Sequence, residues 1–203
     1  ERCDVVTLEF ENVPAAPLDA IADKLAPHPR ALAIAQDRLA EKRFVEDLGG
    51  RPASFHPVDS REDLLAGIDA LGTPAILKTR RDGYDGKGQW RIGSREEAEA
   101  LDLPDAPCIL EGLVQFECEF SVILARRADG VVAFWESSEN GHEDGILARS
   151  TLPGRAIIGE QMAEARKLAN AVADRLDYVG VLTLEFFASK DGPIFNEMAP
   201  RTH

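Results

Sequence analysis

Two glutamates near the end of the chain, Glu185 and Glu197, are spaced so that they could share a divalent cation. They lie in two runs rich in Val, Leu, Ile and Phe, residues 181–188 and 194–199, which are typical of β-strands. The Lys-Asp-Gly sequence at 190–192 fits a three-residue hairpin loop with glycine in the left-handed position. Such a hairpin places the two glutamates directly opposite each other, with Cβ atoms about 4.5–5.5 Å apart. Carboxylates at this separation repel unless a cation lies between them, and Mg²⁺ is commonly held by carboxylates and phosphates.

The same register assigns the other side chains of the hairpin to two faces. Phe187 is expected opposite Phe195, on the side of the glutamates. The opposite face is apolar apart from Asn196, and its members are Leu182, Leu184, Phe186, Ile194 and Met198. We therefore expect the acids to face a cleft and the apolar side chains to face the core. The alternative is an acidic hairpin whose glutamates share a solvated face.

Cations and a glycine-rich loop precede this hairpin in the chain. Lys78 interrupts an otherwise apolar predicted strand, residues 74–79, and a lysine in such a place needs an anion or a wet cleft. The loop at 80–88 joins this strand to a second one at 89–92 and carries three glycines in six residues. It matches neither a Walker A sequence nor a dinucleotide fingerprint, but its peptide N–H groups could cover a polyphosphate and exclude water. A plain flexible hairpin is the alternative.

Helices supply further charge. Asp37 can cap a helix over residues 38–48, whose first turns carry Arg38, Lys42 and Arg43. The alternative for these cations is a solvated helix face. The remaining predicted helices are at 17–25, from about 31, at 61–71 after a capping serine, at 95–101 and at 160–176, and the remaining strands are at 5–10, 108–113, 119–125, 131–135 and 146–150. Residues 136–144, which include His142, are predicted to form a polar loop. The pattern indicates an α+β fold.

Composition narrows the classes of partner. The chain has 203 residues, a formal charge of −13 and a pI near 4.8, which argue against a nucleic-acid surface. It contains no apolar run near the roughly 20 residues that cross a bilayer. Three cysteines without a C-x-x-C pair favour neither a disulfide framework nor a zinc ribbon. The sequence therefore predicts a cytoplasmic protein that binds neither nucleic acid nor a membrane.

The order of these features, with cations first, the loop second and facing carboxylates last, resembles that of ATP-grasp enzymes. Five segments look like the 5-(carboxyamino)imidazole ribonucleotide synthetase family: TLEFENVP at 7–14, QDR with a lysine four residues on at 36–42, GYDGKGQ at 83–89, ENGHEDGIL at 139–147 and NEMAPRTH at 196–203. The third and fifth are the specific ones, and the resemblance spans the whole chain. It implies an ATP-grasp fold of antiparallel sheets with helices at 29–203. Residues 1–28 would end a preceding α/β Rossmann-like domain, and a small C-terminal domain would lie beyond residue 203.

The resemblance also implies roles for individual residues. ATP would be held by Arg38, Lys78, Gly83, Tyr84, Asp85, Gly86, Lys87, Gly88, Gln89, Glu111, Gly112, Leu113, Val114, Glu119, His142, Asn196 and Glu197. Within that set the glycine-rich loop would close over the phosphates, and Glu119 would take the ribose hydroxyls. Glu185 and Glu197 would bind magnesium, and Arg201 and His203 would bind the substrates. The residues expected to act in catalysis are Tyr84, Asp85, Lys87 and Arg201.

The activity implied is the ATP- and bicarbonate-dependent carboxylation of aminoimidazole ribonucleotide through carboxyphosphate, in purine biosynthesis, by a homodimer. Other ATP-grasp ligases, such as a formate-dependent glycinamide ribonucleotide transformylase or a biotin carboxylase, are alternatives that keep ATP hydrolysis. A module that binds ATP without chemistry, or an acidic scaffold without a ligand, would differ in class. The scaffold leaves Lys78 in an apolar strand unexplained.

Overall fold

Two antiparallel sheets with helices against them form the structure, a computed structural model that describes residues 3–83, 88–143 and 146–201. A short 3₁₀ helix at Ala16–Ile21 precedes the regular elements. The helices are α1 Pro29–Ala35, α2 Arg38–Asp47, α3 Arg61–Leu71, α4 Arg95–Ala100 and α5 Ala156–Arg175. The strands are β1 Phe55–Val58, β2 Ala75–Thr79, β3 Gln89–Ile92, β4 Cys108–Gly112, β5 Cys118–Arg126, β6 Val132–Phe134, β7 Glu139–Glu143, β8 Ile146–Thr151, β9 Gly180–Ser189 and β10 Gly192–Ala199.

The smaller sheet has four strands in the order β1-β4-β2-β3. Helices α3 and α4 complete its core, in which Leu64, Leu77 and Leu110 are fully buried. The helix α3 begins as predicted, because the Ser60 side chain accepts a hydrogen bond from the backbone N of Asp63. Local capping chemistry therefore sets the residue at which this helix begins.

The larger sheet has six strands, in the order β10-β9-β5-β7-β8 with β6 paired to β5. The long helix α5 packs against it and buries an apolar face that includes Leu168 and Val172. Phe186 lies at the centre of this core, with its ring centroid 5.3 Å from that of Phe120 and 6.1 Å from that of Phe195. One face of this sheet is therefore committed to packing, which leaves the alternate side chains for a site.

The first predicted strand, at 5–10, is wrong. Val6 makes only an isolated parallel bridge with Leu25, and Val5 and Phe10 are 64% and 61% exposed. Within the described residues no strand lies beside this segment, so its β-forming side chains have no ladder to join. The helix predicted at 17–25 is the shorter 3₁₀ helix. The domain division after residue 28 stays a prediction.

Two strands lack a recognisable sequence pattern. Residues 139–143 were expected in a polar loop but form β7, which pairs with β5 and β8. Polar contacts inside the sheet replace apolar alternation there, since Asn140 is buried and donates to the Ser121 hydroxyl at 2.6 Å. Strand β1 contains Pro57, which is tolerated because β1 lies at the edge of its sheet.

The hairpin of β9 and β10 is confirmed, but its register differs from the predicted one near the turn. Gly192 pairs with Ser189, so the loop has two residues, and Phe195 faces Phe186 where Phe187 was expected. The register then shifts between Phe195 and Met198, and Met198 pairs with Leu184 as predicted. This β-bulge leaves Asn196 and Glu197 together opposite Glu185. As a result Phe195, and not Ile194, joins the core.

Candidate active site

A buried cluster of two lysines and one glutamate joins three elements. The Nζ atom of Lys42, on α2, lies 3.3 Å from Oε1 of Glu111 on β4, and Nζ of Lys78, on β2, lies 2.9 Å from Oε2. Lys42 is 2% exposed, so the solvated helix face is wrong for this residue, although it holds for Arg43. The sequence indicated an anion or a wet cleft near Lys78, and the structure places the Glu111 carboxylate beside it.

The cluster carries more positive than negative charge. Burial would raise the pKa of Glu111, but the ammonium groups of Lys42 and Lys78 outweigh it and hold that pKa at about 2. Burial lowers the pKa of Lys78, and the positive charges of Lys42 and Arg38 lower it further, against the opposing effect of Glu111. One carboxylate therefore does not neutralise the cations around it, and a further anion would stabilise their charged forms.

Arg38 connects this cluster to the glycine-rich loop and to the hairpin. Its Nη1 atom lies 3.6 Å from Oε2 of Glu197, and its Nη2 atom donates to the carbonyl oxygen of Gly83 at 3.3 Å. The helix that carries it starts there because the Asp37 side chain accepts from the backbone N atoms of Leu39 and Ala40, both at 3.1 Å. The N-terminus of α2 therefore lies between the loop and the bulge.

Carboxylates gather on the other side of the bulge. Ligand atoms of Glu119, His142 and Glu185 all lie within 4.8 Å of one another, and Nδ1 of His142 is 3.0 Å from Oε2 of Glu119. Burial raises the pKa of Glu185 to about 8, and the nearby charges of Glu197 and Glu119 add to the rise. The pKa of Glu119 is also raised, by burial and by Glu197, while His142 opposes the shift. A bound cation would relieve this crowding, and the carboxylate oxygens of Glu119 and Glu185 are ligands of the kind that Mg²⁺ takes. Glu197, which was predicted to share the metal with Glu185, is not one of the three residues of this group.

A family model described as an ATP-grasp domain matches residues 43–203. The chain belongs to the ATP-grasp family. The fold predicted from the sequence, α+β with antiparallel sheets, is thereby confirmed. The excess of cations on one side of the bulge and of carboxylates on the other lies within this ATP-grasp domain.

The chain is also similar to individual proteins of known name. The N5-carboxyaminoimidazole ribonucleotide synthase of Brucella melitensis biotype 1 is 50% identical over 208 residues, which cover 98% of this chain and 57% of that protein. The solved structure of N5-carboxyaminoimidazole ribonucleotide synthetase from Thermus thermophilus has a TM-score of 0.92 at 44% identity, and covers 100% of this chain and 56% of its own. The Aspergillus clavatus synthase, solved with ADP and 5-aminoimidazole ribonucleotide, has a TM-score of 0.87 at 27% identity, with coverages of 99% and 54%. The ATP-grasp chain thus spans little more than half the length of these proteins.

Arg201 lies just after the end of β10. Its Nε and Nη2 atoms donate to the Glu11 carboxylate at 3.1 and 3.2 Å, and its carbonyl oxygen accepts from the Thr183 hydroxyl at 3.1 Å. No role for Glu11 was predicted from the sequence. The available signal was its position as the second acid of the TLEFENVP segment, in a short polar turn. Gln36 holds that turn by donating to the carbonyl oxygens of Glu11 and Val13, each at 2.6 Å.

A pocket joins these groups. It is lined by Glu11, Gln36, Arg38, Gly83 and Glu197, together with neighbouring residues of α2, β10 and the loop after β2. Arg38, Gly83 and Glu197 were predicted for the nucleotide. Arg201, predicted for the substrate, does not line the pocket itself but bonds to Glu11, which does. Tyr84, Asp85, Gly86, Lys87 and His203 lie outside the described residues, and their roles stay predictions.

The segment predicted to run along the adenine links the two sheets. The N–H of Gly112 donates to Ser54 O at 2.9 Å, and that of Leu113 donates to Pro74 O at 3.4 Å. Those two N–H groups are therefore engaged within the ATP-grasp domain, and the prediction that residues 111–114 follow an adenine depends on their other backbone groups. Gln89 and Gly88 close the loop on its far side, where the carbonyl oxygen of Gly88 accepts from Thr79 N at 2.9 Å.

Replacing Glu111 with glutamine is expected to destabilise the ATP-grasp domain at neutral pH, because two buried ammonium groups lose their counter-charge. The pKa of Glu111 is depressed from 4.5 to about 2, so its contribution is complete above pH 4.5 and is lost as the pH falls toward 2. A depression of this size corresponds to about 3 kcal/mol. Urea unfolding should show a gap between wild type and E111Q that closes below pH 4.5. A gap that stays constant on acidification would contradict the ionised state of Glu111.

None of the described helices combines the length and the apolar character that a membrane span requires.

Proposed function

We propose that the protein containing this chain carboxylates 5-aminoimidazole ribonucleotide with ATP and bicarbonate, forming 5-(carboxyamino)imidazole ribonucleotide for purine biosynthesis. The observation that carries the proposal is the buried, cation-rich Lys42–Glu111–Lys78 cluster, which lies across the bulge from the Glu185 carboxylate. Such an arrangement suits a metal-bound polyphosphate. The relatives named N5-carboxyaminoimidazole ribonucleotide synthase, one of them solved with ADP and the imidazole nucleotide, support the choice of substrates.

In this proposal Lys78 and Arg38 bind ATP phosphates, because they belong to the group of cations whose charge Glu111 leaves in excess. The loop whose stem contacts Arg38 would cover those phosphates, with Tyr84, Asp85 and Lys87 in the part outside the described residues. Glu119 would accept from the ribose hydroxyls, with His142 held beside it at 3.0 Å. Glu111, Gly112, Leu113 and Val114 would follow the adenine, and Asn196 would lie beside the nucleotide.

Glu185 and Glu197 would hold Mg²⁺. Both belong to the crowded carboxylates, and Glu197 contributes to the raised pKa of Glu185, so a cation between them is favoured. When bound, Mg²⁺ neutralises phosphate charge and orients the transferring phosphoryl group. Glu119 and His142 are close enough to Glu185 to tune the site from the nucleotide side.

The reaction would proceed in three steps. An oxygen of bicarbonate attacks the γ-phosphorus of ATP and the bond to ADP breaks, which gives carboxyphosphate and ADP. Carboxyphosphate then loses phosphate to give carbon dioxide, the amine of the ribonucleotide attacks that carbon, and the nitrogen gives up a proton. Bicarbonate is a weak nucleophile, so positioning by Arg201 and neutralisation by the cations must lower the barrier. The covering loop would keep water from hydrolysing the intermediate.

The Glu11–Arg201 pair would orient the substrates. Replacing Glu11 with glutamine is expected to lower kcat/KM for aminoimidazole ribonucleotide by about tenfold to a hundredfold, because Arg201 loses a bidentate, charge-assisted partner. The KM for ATP should change little. Steady-state kinetics with each substrate varied in turn checks this, and Glu9→Gln, at an exposed position in the same segment, is the matched control. An effect confined to ATP would contradict the assignment.

An ADP-release assay on the full-length protein discriminates among the ligases. With bicarbonate and ATP present, aminoimidazole ribonucleotide is expected to stimulate ADP release, while formate with glycinamide ribonucleotide, or biotin, is not. Stimulation by either of the latter and not by the imidazole nucleotide would replace the proposal with a formate-using ligase or a biotin carboxylase. Absence of ATP hydrolysis with every acceptor would favour a binding module. The homodimer and the cytoplasmic location stay predictions, and light scattering of the purified protein tests the first.

A further inference from the structure

Strand β10 is at the edge of its sheet. Helix α2 contacts three consecutive residues on the outer side of this strand. Lys42 Nζ donates to Asn196 O at 3.4 Å, Arg38 Nη1 lies 3.6 Å from the Glu197 carboxylate, and Glu41 Oε1 accepts from Met198 N at 2.7 Å. Positions 38, 41 and 42 fall on one face of a helix, since residues three and four apart are neighbours there. One face of α2 therefore contacts the carbonyl oxygen of Asn196, the side chain of Glu197 and the backbone N–H of Met198.

These contacts coincide with the bulge. The ladder between β9 and β10 changes register between Phe195 and Met198, and Asn196 and Glu197 are the residues inside the change. Ladder bonds are disrupted at a bulge, so its geometry depends on other partners. A register shift of one residue would turn side chains to the opposite face. The direction of the Glu197 carboxylate thus depends on what fixes its two neighbours.

The side chains of Glu41 and Lys42, which hold the backbone of the bulge and are called the clamp below, are both buried. Glu41 and Lys42 are each 2% exposed, and a buried carboxylate is costly unless it makes strong hydrogen bonds. The 2.7 Å bond from Met198 N offsets only part of that cost, since burial and the nearby charge of Glu197 still raise the pKa of Glu41 to about 8. Lys42 is also engaged with Glu111, so it belongs to the nucleotide cluster as well. Glu41 has no assigned part in binding ATP or the substrates, which makes it the residue that isolates the clamp.

We propose that Glu41 is a positioning residue for the metal site: its carboxylate oxygen holds the Met198 amide and, together with Lys42, fixes the bulge so that Glu197 faces Glu185. The inference rests on the proposed function in one respect, that Glu197 holds the metal. The contribution of Glu41 is the acceptor atom and not its charge. Glutamine at this position keeps an acceptor of the same reach, whereas methionine keeps the size and removes it.

Manganese binding to the ADP-bound full-length protein, followed by the electron paramagnetic resonance of free Mn²⁺, tests the clamp without any turnover. In E41M the dissociation constant for Mn²⁺ is expected to rise by about tenfold, because a bulge without its acceptor would direct Glu197 toward the metal in only about a tenth of the molecules. E41Q should bind Mn²⁺ as the wild type does. The matched control is E46M, an exposed position on the same helix, which should also match wild type. A merely structural role would lower the number of competent sites and leave their affinity unchanged.

The variants test the clamp and the assignment of Glu197 as a metal ligand separately. Loss of Mn²⁺ binding in E197Q together with wild-type affinity in E41M would overturn the clamp and leave the metal assignment intact. Unchanged Mn²⁺ binding in E197Q would overturn both. Equal weakening in E41Q and E41M would show that charge, and not the acceptor, matters, and would also overturn the proposal. If E41M does not fold, as judged by ADP binding without metal, E41A provides the same comparison with a smaller side chain.

Discussion

Replacing Glu197 with glutamine is expected to abolish turnover while the fold persists. The substitution keeps the size of the side chain but removes one of the carboxylates proposed to hold Mg²⁺, and loss of metal assistance costs several kcal/mol of transition-state stabilisation, roughly a thousandfold in rate. The side chain is 38% exposed and its ion pair with Arg38 is long at 3.6 Å, so little folding energy depends on it. ADP release and circular dichroism measured on the same preparation check both halves of the expectation.

The control for this variant is Glu160→Gln, which removes a charge from an exposed position on α5 away from the bulge. It should retain wild-type activity. Undiminished turnover in E197Q would mean that the metal is held elsewhere, and the cluster of Glu119, His142 and Glu185 would then be the first place to look.

Replacing Lys78 with methionine is expected to lower kcat/KM for ATP by about a hundredfold to a thousandfold, the range for removing a preorganised charge from a reaction centre. Methionine fills the same buried space, and Glu111 retains Lys42 at 3.3 Å, so the ion cluster is reduced and not abolished. The KM for ATP should carry much of the loss, because only Lys42 and Arg38 then remain to attract the phosphates.

Lys167→Met, at an exposed position on α5, is the matched control for this second substitution. Calorimetric titration with ADP separates nucleotide affinity from the chemical step. If K78M binds ADP and consumes ATP as the wild type does, the cluster is structural and the proposed phosphate site is wrong.

Local signals predicted the starts of α2 and α3 and not the details of the bulge. The starts of α2 and α3 depend on the side chains of Asp37 and Ser60, which bond to amides two or three residues further on, and such chemistry is visible in a sequence. The facing of Glu185 and Glu197 was predicted from a three-residue loop. The real loop is shorter, and the bulge compensates by restoring the register at Met198. That compensation depends on contacts from α2, far away in the sequence.

Polar elements were the other source of error. Strand β7 carries Asn140, which donates to the Ser121 hydroxyl, and His142, which lies beside the Glu119 carboxylate, so no apolar alternation marks it. A solvated helix face was the alternative for Lys42, and only the tertiary structure supplies Glu111 as its partner. The spacing of Arg38, Glu41 and Lys42 did contain the information that they share a face. What it lacked was the identity of the partner strand.

The origin of the oxygen in the released phosphate tests the central claim most directly. The full-length protein is given ATP, aminoimidazole ribonucleotide and bicarbonate labelled with ¹⁸O, and the phosphate is analysed by mass spectrometry before the label exchanges with water. If a bicarbonate oxygen attacks the γ-phosphorus, each phosphate formed carries one labelled oxygen and ADP carries none. Phosphate without label, formed at the same rate as the carboxylated product, would show that bicarbonate is not phosphorylated and would contradict the account.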